Sequence, residues 1–209
     1  MRKFLFLVLL TFSVFYGQQS NNIPEFVDIQ KMNPSIVLDI RYATKNNFLH
    51  QAVYPQARCF LVKEAALKLN EVQKELQQLG LGLKIFDGYR PLSVQKKMWQ
   101  IMPNPKYVAN PARGSRHNRG CAVDLTLVDS SGKELPMPTE FDNFTKRAHH
   151  NYMKLPANVR LNRWILKTVM MKHGFKPISS EWWHYDLVGY RKYPVMDFSF
   201  SQIDSMLKK

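Results

Sequence analysis

The chain has 209 residues, of which 45% are hydrophobic and 12% aromatic, which suffices for one folded core and excludes an intrinsically disordered chain. Its formal net charge of +14 is compatible with binding to nucleic acid or to a membrane surface. However, the lysines and arginines are scattered rather than gathered in one run. We therefore expect a solvated basic surface, suited to an anionic cell envelope, and no nucleic-acid partner.

The first residues indicate export. A basic MRK start precedes an apolar stretch of 12 residues from Phe4 to Phe15, which is short for a bilayer span and typical of a secretory signal. Residues 1–17 are predicted to be a signal peptide, and residues 18–209 one domain of a periplasmic or secreted protein. An N-terminal membrane anchor is the alternative. After cleavage we expect no stable membrane insertion.

The next segments predict a mixture of strands and helices. A strand is predicted near Ile36–Ile40, followed by a helix in KEAALKLNEVQKELQQLG, where apolar residues from Ala66 to Leu79 recur at helical spacing and Gly80 suits the C′ position. LGLKIFDGYRP predicts a strand ending in a polar turn, and SVQKKMWQIM a second helix capped by Ser93. The stretch 103–116, rich in proline, asparagine and glycine, predicts a loop.

The second half of the chain continues this mixture. CAVDLTLVD predicts a strand with alternating faces, and SSGK predicts a turn. VRLNRWILKTVMMKHG predicts a third helix closed by Gly174, EWWHYDLV a strand, and the tail a weak terminal helix. Because helices and strands mix without a regular βαβ period, the predicted fold class is α+β in a single domain.

The two cysteines, Cys59 and Cys121, both lie in apolar settings. Export would permit a disulfide between them, but buried free thiols are common in such settings. The sequence favours free thiols and leaves the bridge open.

One charged residue, Asp124, lies within the apolar strand CAVDLTLVD. A buried carboxylate is unfavourable unless another group compensates its charge. Its neighbours on the same strand face, Ala122 and Thr126, are small and leave room for a ligand. His117 precedes a turn at Gly120 and can therefore fold back toward Asp124.

The segment SSEWWHYD contributes Glu181 and His184, both among tryptophans. Two histidines and an aspartate are a credible set of ligands for a catalytic zinc with one position open for water. A nearby glutamate that is not a ligand suits the general base of metal-assisted hydrolysis. Positions 181 and 184 would face opposite sides of a strand, so Glu181 should precede it. The alternative is that His117 and Asp124 form only a surface hydrogen bond or a cap.

Arg90 in DGYRP is a further candidate for the site. An arginine at a turn after a buried strand can point into a cleft and hold an oxyanion or a carboxylate. The alternative is a structural ion pair with Asp87.

Five motifs, DIRYATKNNF, QARCFLVKEA, FDGYRP, SRHNRGCAVDLTL and ISSEWWHYDL, resemble in this order those of the D-alanyl-D-alanine dipeptidases (VanX-like zinc peptidases). The resemblance extends from Phe26 to about Tyr193. It implies a central antiparallel sheet with flanking helices, in the zinc fold that these enzymes share with D,D-carboxypeptidases and the hedgehog signalling domain. It also implies one zinc ion (Zn2+) per chain.

The resemblance implies particular roles for the candidate residues. His117, Asp124 and His184 would bind the zinc ion, and Glu181 would act as the catalytic base and acid.

Three more roles follow from the same resemblance. Arg90 would stabilise the tetrahedral transition state, Ser115 would lie near the substrate carboxylate, and Asp142 would hold the free amino group of the substrate. Such contacts suit a dipeptide that is charged at both ends.

The implied reaction is hydrolysis of D-Ala-D-Ala by a zinc-bound water that Glu181 activates, in cell-wall turnover or dipeptide scavenging. One alternative is a zinc D,D-carboxypeptidase that acts on longer muropeptides. Another is a wall-binding module that has kept the zinc fold. The presence of both Glu181 and Arg90 argues against the module, because a pure binder needs no catalytic base.

Overall fold

The computed structural model describes residues 23–208 of the chain. The predicted signal peptide, residues 1–17, lies outside the described residues. Within residues 23–208, no helix is long and apolar enough to cross a bilayer.

The described part of the chain contains seven strands and five α-helices, besides four short 3₁₀ turns. The strands are β1 Phe26–Asp28, β2 Val37–Leu38, β3 Phe60–Val62, β4 Leu81–Asp87, β5 Ala122–Asp129, β6 Phe175–Pro177 and β7 His184–Leu187. The helices are α1 Ile29–Met32, α2 Lys63–Gln78, α3 Leu92–Ile101, α4 Ala157–Lys172 and α5 Phe200–Leu207. The predicted α+β class is confirmed.

The main sheet has five strands in the order β2-β4-β5-β7-β6. Its strands are antiparallel except for the short edge pair of β2 and β4, which is parallel. Helices α2 and α4 pack against the sheet and against each other. β1 and β3 form a separate antiparallel pair. The predicted antiparallel sheet with flanking helices is therefore confirmed, apart from the parallel edge.

Strand β5 lies at the centre of the sheet, between β4 and β7. Residues 122–128 are all buried, so both faces of the strand are covered by protein. A carboxylate at position 124 therefore lies in the interior, as its apolar neighbours in the sequence indicate.

Helix α2 follows its predicted pattern up to its last turn. Ala66, Leu69 and Val72 are buried, and Gly80 adopts a left-handed φ of 70° just after the helix. Leu79, predicted on the buried face, is 59% exposed because the helix ends at Gln78, one residue earlier.

Two local predictions are wrong. Ser93 does not cap α3, because the helix begins earlier, at Leu92, and the carboxylate of Asp197 accepts a hydrogen bond from the backbone N–H of Ser93 at 2.7 Å. The last strand is shorter than EWWHYDLV and begins only at His184. Strand β6 pairs only with residues 185–187 of β7. Within the described chain, residues 181–183 therefore have no strand on that side.

The two cysteines are free and buried, as the sequence favours. Cys59 lies immediately before β3, and Cys121 immediately before β5.

Gly120 ends a short 3₁₀ turn at His117–Arg119 and leads into β5 with a left-handed φ of 64°. A Cβ atom at this position would lie 3.0 Å from Cγ1 of Val62 and 3.2 Å from Cε1 of Phe26. Both the backbone conformation and the close packing therefore require glycine.

We expect Gly120→Ala to lower the free energy of unfolding by about 2–5 kcal/mol, since left-handed strain costs about 1–2 kcal/mol and overpacking about 1–3 kcal/mol. Gly132→Ala is the matched control. Gly132 has a φ of 81°, but its Cβ would meet only Val37 at 3.9 Å, so it should lose only about 1–2 kcal/mol. Urea unfolding measures both values, and equal losses would show that packing around position 120 is not a constraint.

Candidate active site

Three neighbouring strands bring distant residues together at one end of the sheet. Asp124 in β5 is in register with Asp87 at the end of β4 and with His184 at the start of β7. Cross-strand partners lie about 5 Å apart and project to the same face. His117 joins them from the 3₁₀ turn before β5.

The three predicted metal ligands converge. His117, Asp124 and His184 are buried, and one ligand atom from each lies within 4.8 Å of the others. Nδ1 of His184 lies 2.9 Å from Oδ1 of Asp124 and 3.2 Å from Nε2 of His117. Nε2 of His117 lies 3.5 Å from Oδ2 of Asp124.

Each histidine of this cluster is held on its other side by an acceptor. Nδ1 of His117 lies 2.8 Å from the carbonyl oxygen of Gly88, which can only accept a hydrogen bond. Nε2 of His184 lies 2.9 Å from Oδ1 of Asp186. In the neutral tautomers that these acceptors favour, both rings turn a lone pair toward Asp124. Two nitrogens and a carboxylate in this arrangement fit a zinc ion with an open coordination position.

The electrostatics of the cluster also favour a cation. Burial alone would raise the pKa of Asp124, but the positive charge and hydrogen bonds of His117 and His184 hold it well below its usual range. Burial would lower the pKa of His184, whereas hydrogen bonds to Asp124 and Asp186 raise it well above its ordinary value. A metal cation would compete with protons for the same atoms.

Glu181 lies just before β7, where the sequence analysis requires it. Its side chain lines the cavity that contains His117, Asp124 and His184, and it is not part of their converging set. Burial raises the pKa of Glu181; the charge of His184 offsets part of this rise, and the negative charge of Asp124 adds to it. A carboxyl group with a raised pKa suits proton transfer near neutral pH.

Arg90 forms the ion pair with Asp87 that the sequence offers as one alternative, and it also lies at the cavity. Its Nη2 donates to Oδ2 of Asp87 at 2.5 Å, and its Nη1 donates to Oε1 of Gln95 at 2.8 Å. Its guanidinium also lies 5.0 Å from the centroid of the Tyr42 ring. The same side chain lines the cavity. The buried ion pair therefore holds a cation at the wall of the site.

Asp142 lines the cavity as well. The hydroxyl of Tyr42 donates to Oδ2 of Asp142 at 3.0 Å. The backbone of Asp142 has a φ of 61°, which is uncommon for a residue other than glycine. Burial and the nearby charge of Asp124 raise the pKa of Asp142 well above its ordinary value. An approaching cation would favour its charged form.

Ser115 also lies at the cavity wall. Its hydroxyl accepts a hydrogen bond from the backbone N–H of His117 at 3.3 Å. The structure therefore gives this side chain a part in holding the 3₁₀ turn, in addition to its position beside the cavity.

Among the residues of the site that the sequence analysis missed are Asp186 and Tyr42. Asp186 contacts His184 and could have been found, because residues two apart in a strand share a face. Tyr42 contacts Asp142, 100 positions away, and no local pattern indicates this contact.

The cavity has a volume of about 210 Å³, which is below the roughly 300–1,000 Å³ of pockets for drug-sized ligands. The apolar part of the cavity wall includes Trp183 and Phe144. Its charged part includes Arg90, Asp142 and Glu181. The arrangement suits a small molecule with both a positive and a negative group, held beside a metal ion.

Comparisons with known proteins agree with this chemistry. A family model described as D-ala-D-ala dipeptidase matches residues 22–203. A D-alanyl-D-alanine dipeptidase of Escherichia coli (strain K12) is 40% identical over 177 residues, which cover 85% of this chain and 92% of that protein. The enzyme of the same name from Enterococcus faecalis (strain ATCC 700802 / V583) is 32% identical over 197 residues, 84% of this chain and 97% of that protein. These matches confirm the resemblance that the five motifs indicate.

We expect Asp186→Asn to weaken zinc binding by about 10- to 100-fold, the usual effect of changing the outer partner of a ligating histidine. The amide keeps the size of the side chain but removes the charge that orients His184. Titration against a chelator at pH 8 measures the affinity. Asp204→Asn is the control, because this carboxylate lies on α5, pairs with Arg58 and should not affect zinc binding. Equal affinity in Asp186→Asn and wild type would exclude this supporting role.

Proposed function

The chain belongs to the family of D-Ala-D-Ala dipeptidases, and on this basis we propose that it hydrolyses the dipeptide D-Ala-D-Ala with one bound zinc ion. The observation that carries the proposal is the convergence of His117, Asp124 and His184 in the cavity that Glu181 lines.

The zinc ion would be held by Nε2 of His117, Nδ1 of His184 and a carboxylate oxygen of Asp124. When bound, zinc supplies Lewis acidity, which polarises a carbonyl oxygen and makes a water molecule more acidic. Gly88 and Asp186 would keep the two imidazole rings in the required orientation through their hydrogen bonds.

Glu181 would move the proton in the reaction. It would accept a proton from the water that attacks the peptide carbonyl and then donate it to the nitrogen of the leaving D-alanine. The raised pKa of Glu181 supports this role, because burial makes its carboxylate a stronger base. The same residue would thus act first as a base and then as an acid.

Arg90 would donate hydrogen bonds to the oxygen on which negative charge develops. Asp87 and Gln95 already hold two nitrogens of its guanidinium group. The cation therefore needs little rearrangement during the reaction, and this preorganisation favours the transition state over the ground state.

The substrate preference would come from the charges of the cavity. Asp142 would bind the free ammonium group of the dipeptide, and Ser115 would lie near its carboxylate. An acyl group on the substrate amine would remove the positive charge and add bulk in a cavity of about 210 Å³. These features favour a dipeptidase over a carboxypeptidase that acts on longer muropeptides.

We also propose that residues 1–17 are a signal peptide and that the chain acts outside the cytoplasm, in wall turnover or scavenging of released D-Ala-D-Ala. The support is the basic start followed by an apolar stretch of 12 residues, Phe4 to Phe15.

We expect Glu181→Gln to lower kcat on D-Ala-D-Ala by about 10²- to 10⁴-fold, since glutamine keeps the shape of the side chain but cannot accept the proton. Metal analysis should still find one zinc ion per chain, because Glu181 is not in the converging set. Glu71→Gln, on the exposed side of α2, should keep wild-type activity. Full zinc-dependent activity in Glu181→Gln would refute the assigned base.

We expect Asp142→Asn to lower kcat/KM for D-Ala-D-Ala by about 10- to 100-fold, mainly through KM, because a hydrogen bond to a charged group contributes about 1.5–3 kcal/mol. Steady-state kinetics with D-Ala-D-Ala and its N-acetyl derivative measure the effect. The wild type should discriminate strongly against the acetylated compound, and the variant much less. Efficient cleavage of an acylated tripeptide by the wild type would instead identify a carboxypeptidase.

A further inference from the structure

One part of the chain outside the active site is strongly basic. Between Asp142 and Glu181 the sequence contains eight lysines and arginines and no aspartate or glutamate. This segment alone accounts for more than half of the formal net charge of +14. It includes α4, which carries four of these cations.

Helix α4 also presents apolar side chains to solvent. Leu161, Trp164 and Met171 are each more than half exposed, with Trp164 at 61%. At 100° per residue these positions lie on one side of the helix, opposite its buried residues. Met153, equally exposed, precedes the helix and lines a cleft of about 380 Å³ together with Leu161 and Trp164.

Three cations line the same cleft, Arg160, Arg163 and Lys167, of which Arg160 is exposed to solvent and Lys167 partly exposed. Within residues 23–208, no carboxylate lies within ion-pair distance of Arg160 or Lys167, whereas Lys172 at the end of the helix pairs with Glu75 at 2.8 Å. Arg163 is turned inward and donates to the carbonyl oxygen of His149 at 2.9 Å. The positive charges of Arg160 and Lys167 are therefore available to a partner.

We propose that this face of the protein binds the surface of an anionic phospholipid bilayer. The face, called here the α4 surface, consists of Met153, Arg160, Leu161, Trp164, Lys167 and Met171. An exposed apolar patch within a basic surround is typical of an interaction site. At a membrane interface the cations meet lipid phosphates, tryptophan lies at the level of the headgroups, and the aliphatic side chains enter the acyl boundary.

A bilayer fits this surface better than a soluble polyanion does. A nucleic acid would satisfy Arg160 and Lys167 through its phosphates but would leave Met153, Leu161 and Met171 in water. A bilayer with anionic headgroups offers both the negative charge and the apolar phase. The association would be peripheral and sensitive to salt, because screening weakens its electrostatic part.

The test uses the full-length, zinc-loaded protein with vesicles of phosphatidylcholine and phosphatidylglycerol, some carrying brominated acyl chains that quench tryptophan fluorescence. We expect quenching with anionic vesicles and little with pure phosphatidylcholine. Trp164→Phe should remove most of the quenching, because Trp182 and Trp183 are buried and Trp99 on α3 is partly buried against the core. Arg160→Ala and Lys167→Ala should each weaken association about fivefold, the effect of one cation near an anionic surface.

The double variant Lys96→Ala/Lys97→Ala removes two positive charges from exposed positions of α3, one more than either α4 variant, and should bind as the wild type does. The N-terminal residues are the same in every variant, so they cannot account for differences between variants. The proposal is overturned if Trp164→Phe leaves the quenching unchanged, or if the α3 variant weakens binding as much as the α4 variants do. It is also overturned if a DNA duplex binds as tightly as the anionic vesicles, because a soluble polyanion would then satisfy the surface as well as a bilayer does.

Discussion

Burial of carboxylates at one end of the central sheet is the constraint on which the candidate site depends. Asp87, Asp124 and Asp186 are all buried. A buried carboxylate is tolerated only with a positive partner and satisfied hydrogen bonds. Arg90 compensates Asp87, and His184 contacts both other carboxylates. Arg90 and His184, which balance these charges, are also residues that the proposed reaction would use. The arrangement that neutralises the buried carboxylates is therefore the one that the proposed chemistry needs.

The backbone around these charges leaves little freedom to the side chains. The carbonyl of Gly88 orients His117, and a Cβ at Gly88 would lie 2.5 Å from Sγ of Cys59. Gly120 returns the chain from His117 into β5 in a left-handed conformation. Two tight turns thus set the position of His117 relative to Asp124, so packing in the core constrains the geometry of the proposed metal site.

The active site and the α4 surface are connected through main-chain contacts. The basic segment that contains α4 begins after Asp142 and ends before Glu181, which are two acids of the cavity. The backbone N–H of His150, in the loop before α4, donates to the carbonyl oxygen of Ser179, in the loop before Glu181. The position of the proposed base and the position of the proposed membrane-binding face therefore depend on the same pair of loops.

The sequence by itself determined the α+β class, the periodic helices α2 and α4, and the small set of side chains around Asp124 that could hold a metal, because spacing and residue type are local properties. Only the tertiary structure decided that Arg90 both pairs with Asp87 and lines the cavity. The motif DGYRP is compatible with either arrangement, so the sequence could not choose between them. It alone placed Tyr42 beside Asp142 and Asp197 beside the backbone N–H of Ser93 in α3. Such contacts join residues about 100 positions apart and depend on strand register and packing, which no local pattern encodes.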